Sequence, residues 1–316
     1  MAQSPASNAA HNPPTTYYLP PTPIPKAIRL KAQKGHKPIM PLPPSFQFSQ
    51  SSLHDFETCP RRFKLRYLDR LRWPAVEVEP IVEAERLARL GQDFHRLVQQ
   101  HLIGLEVEVL NGYLVSAEDE LRTWWQSYLA HRPEVLAVAT LHPELTLSAP
   151  LRDYRVLARF DLLAVLPGGE FLIIDWKTSR QKPQREHLAR RVQTRVYPYV
   201  LAQAGAAFNQ GRPIDPAAIK MIYWYAQFPN EPEQFDYSPQ LFQRDEQFLS
   251  QLVEQIQNSD FPLVESHEPC HHCVYRSYCN RGDSAGPLTE LPPEAEPEAA
   301  LDVLDLDWEQ IAEIQF

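Results

Sequence analysis

Glycine, cysteine and long apolar runs are all scarce in this chain. It has 10 glycines in 316 residues, far too few for a collagenous repeat. Its four cysteines exclude a small secreted scaffold built on disulfides. No segment approaches the ~20 consecutive apolar residues that a membrane-spanning helix needs. The polar start Met1-Ala2-Gln3-Ser4 has no apolar stretch behind it, which argues against a secretory signal. The expected compartment is cytoplasmic, where thiols stay reduced. No Gly-x₄-Gly-Lys-Ser/Thr loop occurs, so ATP-driven unwinding is not expected of this chain. What is there, 43% apolar and 22% charged residues, is the composition of an ordinary globular protein with room for one large domain.

The formal charge of −9 is unevenly distributed. Residues 1–54 hold five basic residues (Lys26, Arg29, Lys31, Lys34, Lys37) and no acid, whereas residues 283–316 hold ten acids and no Lys or Arg. The middle keeps 26 basic and 30 acidic residues, so net acidity does not argue against a local nucleic-acid track. Proline marks the same boundaries: eleven of the 31 fall in the first 44 residues, favouring extended chain. Residues 1–46 are therefore expected to be a disordered, proline-rich basic arm, 47–282 the folded domain, and 283–316 an acidic tail. Leu301, Leu304, Trp308, Ile311 and Phe316 recur in that tail among acids. This spacing suits a short amphipathic helix docking on a protein partner or on its own domain.

Within the middle, Leu53–Leu71, Leu87–Leu102 and Leu121–Leu129 carry apolar residues at helical spacing. From about Leu145 the pattern turns to β-branched and aromatic runs: Thr146–Ser148, Tyr154–Val165 and Phe171–Trp176, the last two joined by a Pro167-Gly168-Gly169 turn. A helix over Glu186–Ala204, a strand over Ile219–Phe228 and a helix over Gln240–Asn258 follow. The fold class is α/β: a mixed sheet with helices packed on it.

The hairpin carries the chemistry. Asp161 and Asp175 each sit inside an apolar strand run, and a buried carboxylate is costly unless paired, hydrogen-bonded or bound to a cation. Asp175 and Lys177 are two apart and leave the same face of a strand, and Asp161 on the neighbouring strand can reach it. Two carboxylates and a backbone carbonyl make a hard oxygen site for Mg²⁺ or Mn²⁺. A lysine beside it can orient an attacking water and stabilise charge on a phosphate, so phosphodiester hydrolysis is a plausible reaction. The plainer alternative is a surface Asp175–Lys177 ion pair. Glu144, just ahead of the first strand, reads as a solvated loop glutamate, though a further acid near the site is the other option. Lys177, Arg180, Lys182, Arg185, Arg190, Arg191 and Arg195, against Glu186 as the sole acid among them, form a basic track that suits passing phosphates.

These residues resemble the RecB-like branch of the PD-(D/E)xK nucleases, over about Ser49–Cys279. Gly91-Gln-Asp-Phe-His95 resembles the helix whose histidine binds metal, Asp161 and Asp175 the two metal-binding acids, Lys177 the catalytic lysine, and Gln193-Thr-Arg-Val-Tyr197 the Gln-x-x-x-Tyr motif. The resemblance implies a restriction-endonuclease-like sheet flanked by helices, with a helical insertion and a metal-stapled C-terminal segment. It implies a metal-dependent deoxyribonuclease, single-strand-directed or acting at ends, of the kind used in DNA repair. Mg²⁺ or Mn²⁺ would sit on His95, Asp161, Asp175 and the Trp176 carbonyl. Ala158 stands where the family usually has glycine. Pro198, directly after Tyr197, should kink the helix.

All four cysteines belong to one pattern, Cys59 alone and Cys270-x₂-Cys273-x₅-Cys279 at the far end of the domain. Four thiolates suit a tetrahedral zinc or a [4Fe–4S] cluster, and counting them does not choose. The arrangement is similar to the iron-staple subset of RecB-like nucleases, AddB and CRISPR-associated exonucleases among them, which implies [4Fe–4S]. A reading from another class keeps the fold without the activity: a non-catalytic or partner-controlled DNA-binding module of a repair or CRISPR-type complex.

Overall fold

A strand buried along its whole length must be covered on both faces, and Phe171–Lys177 is buried at all seven positions. It is the centre around which the rest assembles. The computed structural model describes residues 42–71, 79–271 and 273–282. The expected arm (apart from 42–46), the acidic tail and His272 lie outside the described residues.

In chain order the elements are β1 (Gln47–Ser49), α1 (Gln50–Thr58), α2 (Pro60–Phe63) with a π-helical turn over Lys64–Leu68, α3 (Glu79–Leu102), α4 (Val107–Tyr113) and α5 (Asp119–His131). Then come β2 (Thr140–Leu151), β3 (Tyr154–Val165), β4 (Phe171–Lys177), α6 (Arg185–Arg190), α7 (Val192–Ala204), β5 (Ile219–Tyr225), β6 (Phe228–Asp236) and α8 (Pro239–Gln257). The six strands form one mixed sheet, β1-β3-β4-β5-β6 with β2 on β3; β1–β3 and β4–β5 are parallel, the other pairs antiparallel. This is the expected mixed α/β sheet flanked by helices.

Each face of the sheet carries its own core. Phe160, Phe171, Ile173, Met221, Tyr223 and Tyr225 pack with α1, α7 and α8 residues such as Leu53, Val196 and Val253. Leu162, Leu172, Ile174, Trp176 and Trp224 pack with Phe94 and Val98 of α3 and with Trp124, Trp125 and Tyr128 of α5. The helical insertion thus roofs one face of the sheet. Packing already begins at Leu42, which is buried in the first core. Among the described residues, no helix is long and apolar enough to cross a membrane.

Three local expectations change. The first strand begins at Thr140 and not near Leu145, so Glu144 lies inside β2. The helix expected over Glu186–Ala204 divides into α6 and α7 at Arg191, whose backbone is extended (φ −57, ψ 142). Pro198 lies within α7, which continues to Ala204: the ring forfeits one hydrogen bond, but Val196, Tyr197, Tyr199 and Val200 around it are buried and hold the helix in place.

Candidate active site

Strand pairing fails at the place where the site forms. The β2–β3 ladder runs in one register, Pro143 opposite Leu162 and Leu145 opposite Phe160, and skips the step where Glu144 faces Asp161. Glu144 has φ +53, a left-handed conformation that costs a non-glycine residue about 1–3 kcal/mol and is tolerated mainly at functional sites. The strand's alternation changes phase there. Ala158 and Phe160 share one core with Leu163, while Leu162 and Ala164 join the other. In β2, Leu141 packs on the second core, and Leu145 and Leu147 on the first.

The phase break frees Asp161 from either core. The β3–β4 ladder ends at Leu162 opposite Ile174, and the Trp176 N–H beyond it donates to Asp161 Oδ2 at 2.7 Å. Asp161 Oδ1 lies 3.4 Å from His95 Nδ1 on α3. Ligand atoms of His95, Glu144 and Asp161 all fall within 4.8 Å of one another, the one such trio among the described residues. Burial pushes the Asp161 carboxyl up, but His95, Lys177 and the Trp176 N–H together hold it below its usual value. Glu144 is pushed up, first by burial and then by the neighbouring Asp161. Arg159 opposes this by donating Nε to Glu144 Oε2 at 2.9 Å. The solvated-loop reading of Glu144 is therefore corrected: a strand position and a twist of its own backbone bring it onto the site. Proline directly ahead of an acid, inside a strand-like run, is the only sequence signal that points there.

On the other side of β4, Asp175 and Lys177 form a buried pair, 3% and 5% exposed, with Lys177 Nζ 2.8 Å from Asp175 Oδ2. The surface-ion-pair alternative is thereby overturned. Gln193 Nε2 donates to Asp175 Oδ1 at 2.7 Å. Tyr197, one turn further along α7, packs edge-on against Phe160 with ring centroids 5.2 Å apart. Burial and the charges of Asp175 and Asp161 push its hydroxyl pKa well up, so it stays a neutral hydrogen-bonding group. All the expected residues thus converge, in two groups. His95 and Asp161 gather with Glu144. Asp175, Lys177, Gln193 and Tyr197 form an adjoining cluster, and Trp176 joins the two through its N–H. Asp175 stands outside the trio.

The basic track is less open than its sequence suggests. Arg180 pairs with Glu120, Lys182 with Glu231 and Glu233, Arg185 with Glu233, and Arg195 with Asp245. These acids come from α5, β6 and α8, too distant in sequence to be read beside the cations.

Cys273 and Cys279 lie at a second place, where the two ends of the described domain pack together. All four cysteines are free thiols. Leu65 packs with Cys273 and Tyr275, with Leu71 and Cys279 against them, and Tyr275 OH donates to the Leu71 carbonyl at 3.1 Å. This joins the two ends of the domain. Cys59 acts electrostatically on both Cys273 and Cys279, and Cys270 on Cys279. Burial pushes the Cys273 thiol up to about 11, so at neutral pH it gives up its proton readily only to a bound cation.

The site thus combines a mixed α/β sheet, acids at a break between its strands, a histidine across from them and a buried Asp-x-Lys beside them. The chain belongs to the PD-(D/E)XK nuclease superfamily, whose family model matches residues 47–280. No curated protein matches it. Among solved structures it is similar to a candidate exonuclease from Eubacterium rectale, at 11% identity over 66% of this chain and 79% of that one, with a TM-score of 0.43. It is also similar to the protein SSO0001, at 15% identity over 74% of this chain and 85% of that one, with a TM-score of 0.36.

Proposed function

We propose that this nuclease is a metal-dependent deoxyribonuclease of the RecB-like branch, acting on single strands or at ends, with its fold braced by a [4Fe–4S] cluster on Cys59, Cys270, Cys273 and Cys279. One observation carries the catalytic part: the His95–Glu144–Asp161 trio abuts the buried Asp175–Lys177–Gln193 cluster. Two carboxylates and an imidazole at this spacing suit Mg²⁺ or Mn²⁺. Asp175 and the Trp176 main chain are the next donors along β4. When bound, the cation would polarise the phosphate and lower the pKa of water.

This chain's residues supply the rest. Gln193 fixes one oxygen of Asp175, so the carboxylate presents the other to Lys177. Lys177 Nζ, tethered in this way, is placed to orient the attacking water and to face negative charge on the phosphate. Tyr197, kept neutral, walls the site and excludes solvent. The reading of the four cysteines as a metal centre is supported by the packing of Cys273 and Cys279 against Leu65 and Leu71 from the start of the domain and by the absence of any cysteine outside the set. Zinc is the alternative occupant. An anaerobic visible spectrum separates the two, since absorbance near ~400 nm marks an iron–sulphur cluster and zinc is colourless.

The direct test incubates purified protein with end-labelled single-stranded DNA, duplex DNA and RNA, with Mn²⁺ or with chelator. Metal-dependent shortening of single-stranded DNA is expected; intact DNA in Mn²⁺ would sink the proposal. Glu144→Gln, which keeps the Arg159 contact but removes the charge, should weaken Mn²⁺ binding about 10- to 100-fold, or ~1.4–2.7 kcal/mol. Unchanged Mn²⁺ affinity by titration would remove Glu144 from the cation site.

A further inference from the structure

Each carboxylate of the site accepts a hydrogen bond from a different part of the fold. Asp161 is fixed by the Trp176 main-chain N–H at 2.7 Å and Asp175 by Gln193 Nε2 at 2.7 Å. Both of these donors belong to buried residues. Glu144 is held by Arg159 instead. Arg159 Nε lies 2.9 Å and Nη2 2.8 Å from the same oxygen, Oε2. The two side chains come from neighbouring strands: Arg159 stands opposite Thr146, beside the step where Glu144 faces Asp161. The Arg159 side chain is 44% exposed and that of Glu144 16%, so the arginine forms the outer layer of the pair.

An arginine beside a cation site can act in two opposite ways. Its charge repels a divalent cation and weakens binding. Its hydrogen bonds can also orient a carboxylate ligand and strengthen binding, and loss of such an outer partner commonly costs about 10–100-fold in metal affinity. The geometry at Glu144 favours the second effect. The left-handed step there (φ +53) sets the backbone but leaves the side-chain torsions, whose freedom must be given up before the carboxylate can serve as a ligand. Two donors on one planar guanidinium converge on Oε2 and restrict those torsions. A lysine ammonium, a single point charge on a flexible stem, does not supply that restraint.

We propose that Arg159 is a positioning residue of the cation site: its guanidinium fixes Glu144 Oε2 and so leaves the other oxygen of the carboxylate to a divalent cation shared with His95 and Asp161. This rests on reading His95, Glu144 and Asp161 as a cation site, and it gives Arg159 a role exerted through Glu144.

The test titrates the full chain with Mn²⁺ in the absence of DNA, so that affinity and not cleavage is read. Arg159→Gln should bind Mn²⁺ about tenfold more weakly than the native chain, equivalent to ~1.4 kcal/mol. Native or tighter binding would overturn the proposal, because charge repulsion would then be the larger effect. Arg159→Lys keeps the charge but not the paired donors, and should bind at least about threefold more weakly; native affinity in this variant would overturn the positioning role. Arg159→Lys carries the test alone if melting curves show that Arg159→Gln is unfolded. Added to Glu144→Ala, Arg159→Gln should cause no further loss, since no carboxylate remains to be held. A further tenfold loss would mean that Arg159 does not act through Glu144. If Glu144→Ala itself binds Mn²⁺ like the native chain, the cation-site reading of Glu144 fails and this inference with it. If Glu144→Ala weakens binding and Arg159→Gln does not, this inference fails alone.

Discussion

Asp161→Asn lowers the rate of DNA cleavage by about 10³-fold or more, equivalent to ~4 kcal/mol of transition-state stabilisation, and leaves the fold in place. The two halves of that expectation come from the two oxygens of one carboxylate. Oδ2 accepts the Trp176 N–H, a role that an amide oxygen also fills, so the join between β3 and β4 survives. Oδ1 faces His95 and lies within the trio with Glu144, and there an amide nitrogen replaces the negative charge that a cation requires. Melting curves and cleavage rates of the variant, measured side by side, separate these roles. A variant that melts like the native chain and cuts like it would refute the assignment of Asp161 to the cation site. A variant that cuts poorly only because it unfolds would show that Asp161 is chiefly a structural acceptor.

Cys59→Ser strips bound metal from the protein and lowers its melting temperature by roughly 10 °C, the shift that about 3–5 kcal/mol produces in a domain of this size. The loss is expected to be large because, in the proposed centre, Cys59 would tie the start of the domain to Cys270, Cys273 and Cys279 at its end, and a link across roughly 200 residues restrains the unfolded chain by an amount on the order of 5 kcal/mol. Serine keeps the size of the side chain at the N-cap of α2, so packing changes little. Iron and zinc analysis of both proteins, paired with calorimetry, checks the result. Equal metal content in the serine variant would remove Cys59 from the centre, and equal melting temperatures would show that the centre does not brace the fold.

The Asp175–Lys177 cluster on β4 was largely legible from the sequence because its logic is local. Phe171–Ile174 is an apolar run that favours burial, but it left a surface Asp175–Lys177 pair open as the alternative, and the pair lies buried. Gln193 and Tyr197 are four apart on one helix, and the same turn presents both to β4. Glu144 was not legible. Its place depends on a left-handed backbone step inside a strand, and no periodicity announces such a step before the partner strand is known. The pairing of the basic track was hidden for a similar reason: Glu120, Glu233 and Asp245 reach Arg180, Arg185 and Arg195 only once β6, α5 and α8 have packed. Strand β1 is three residues long, too short to carry a signature, and exists only through its parallel pairing with Arg155–Leu157.

The phase change shared by β2 and β3 bears on which mutations this sheet can absorb. Both strands reverse their inward and outward faces at the same step, so Glu144 and Asp161 act as one extra residue in each strand, set opposite one another. Removing one of the two would restore plain alternation in its own strand and leave the other as an unpaired bulge residue. Substitution at Glu144 or Asp161 should leave a folded, inactive protein. A single-codon deletion of either residue alone should leave a bulged and less stable sheet, and matched deletions of Glu144 and Asp161 together should recover a continuous pleat without a site.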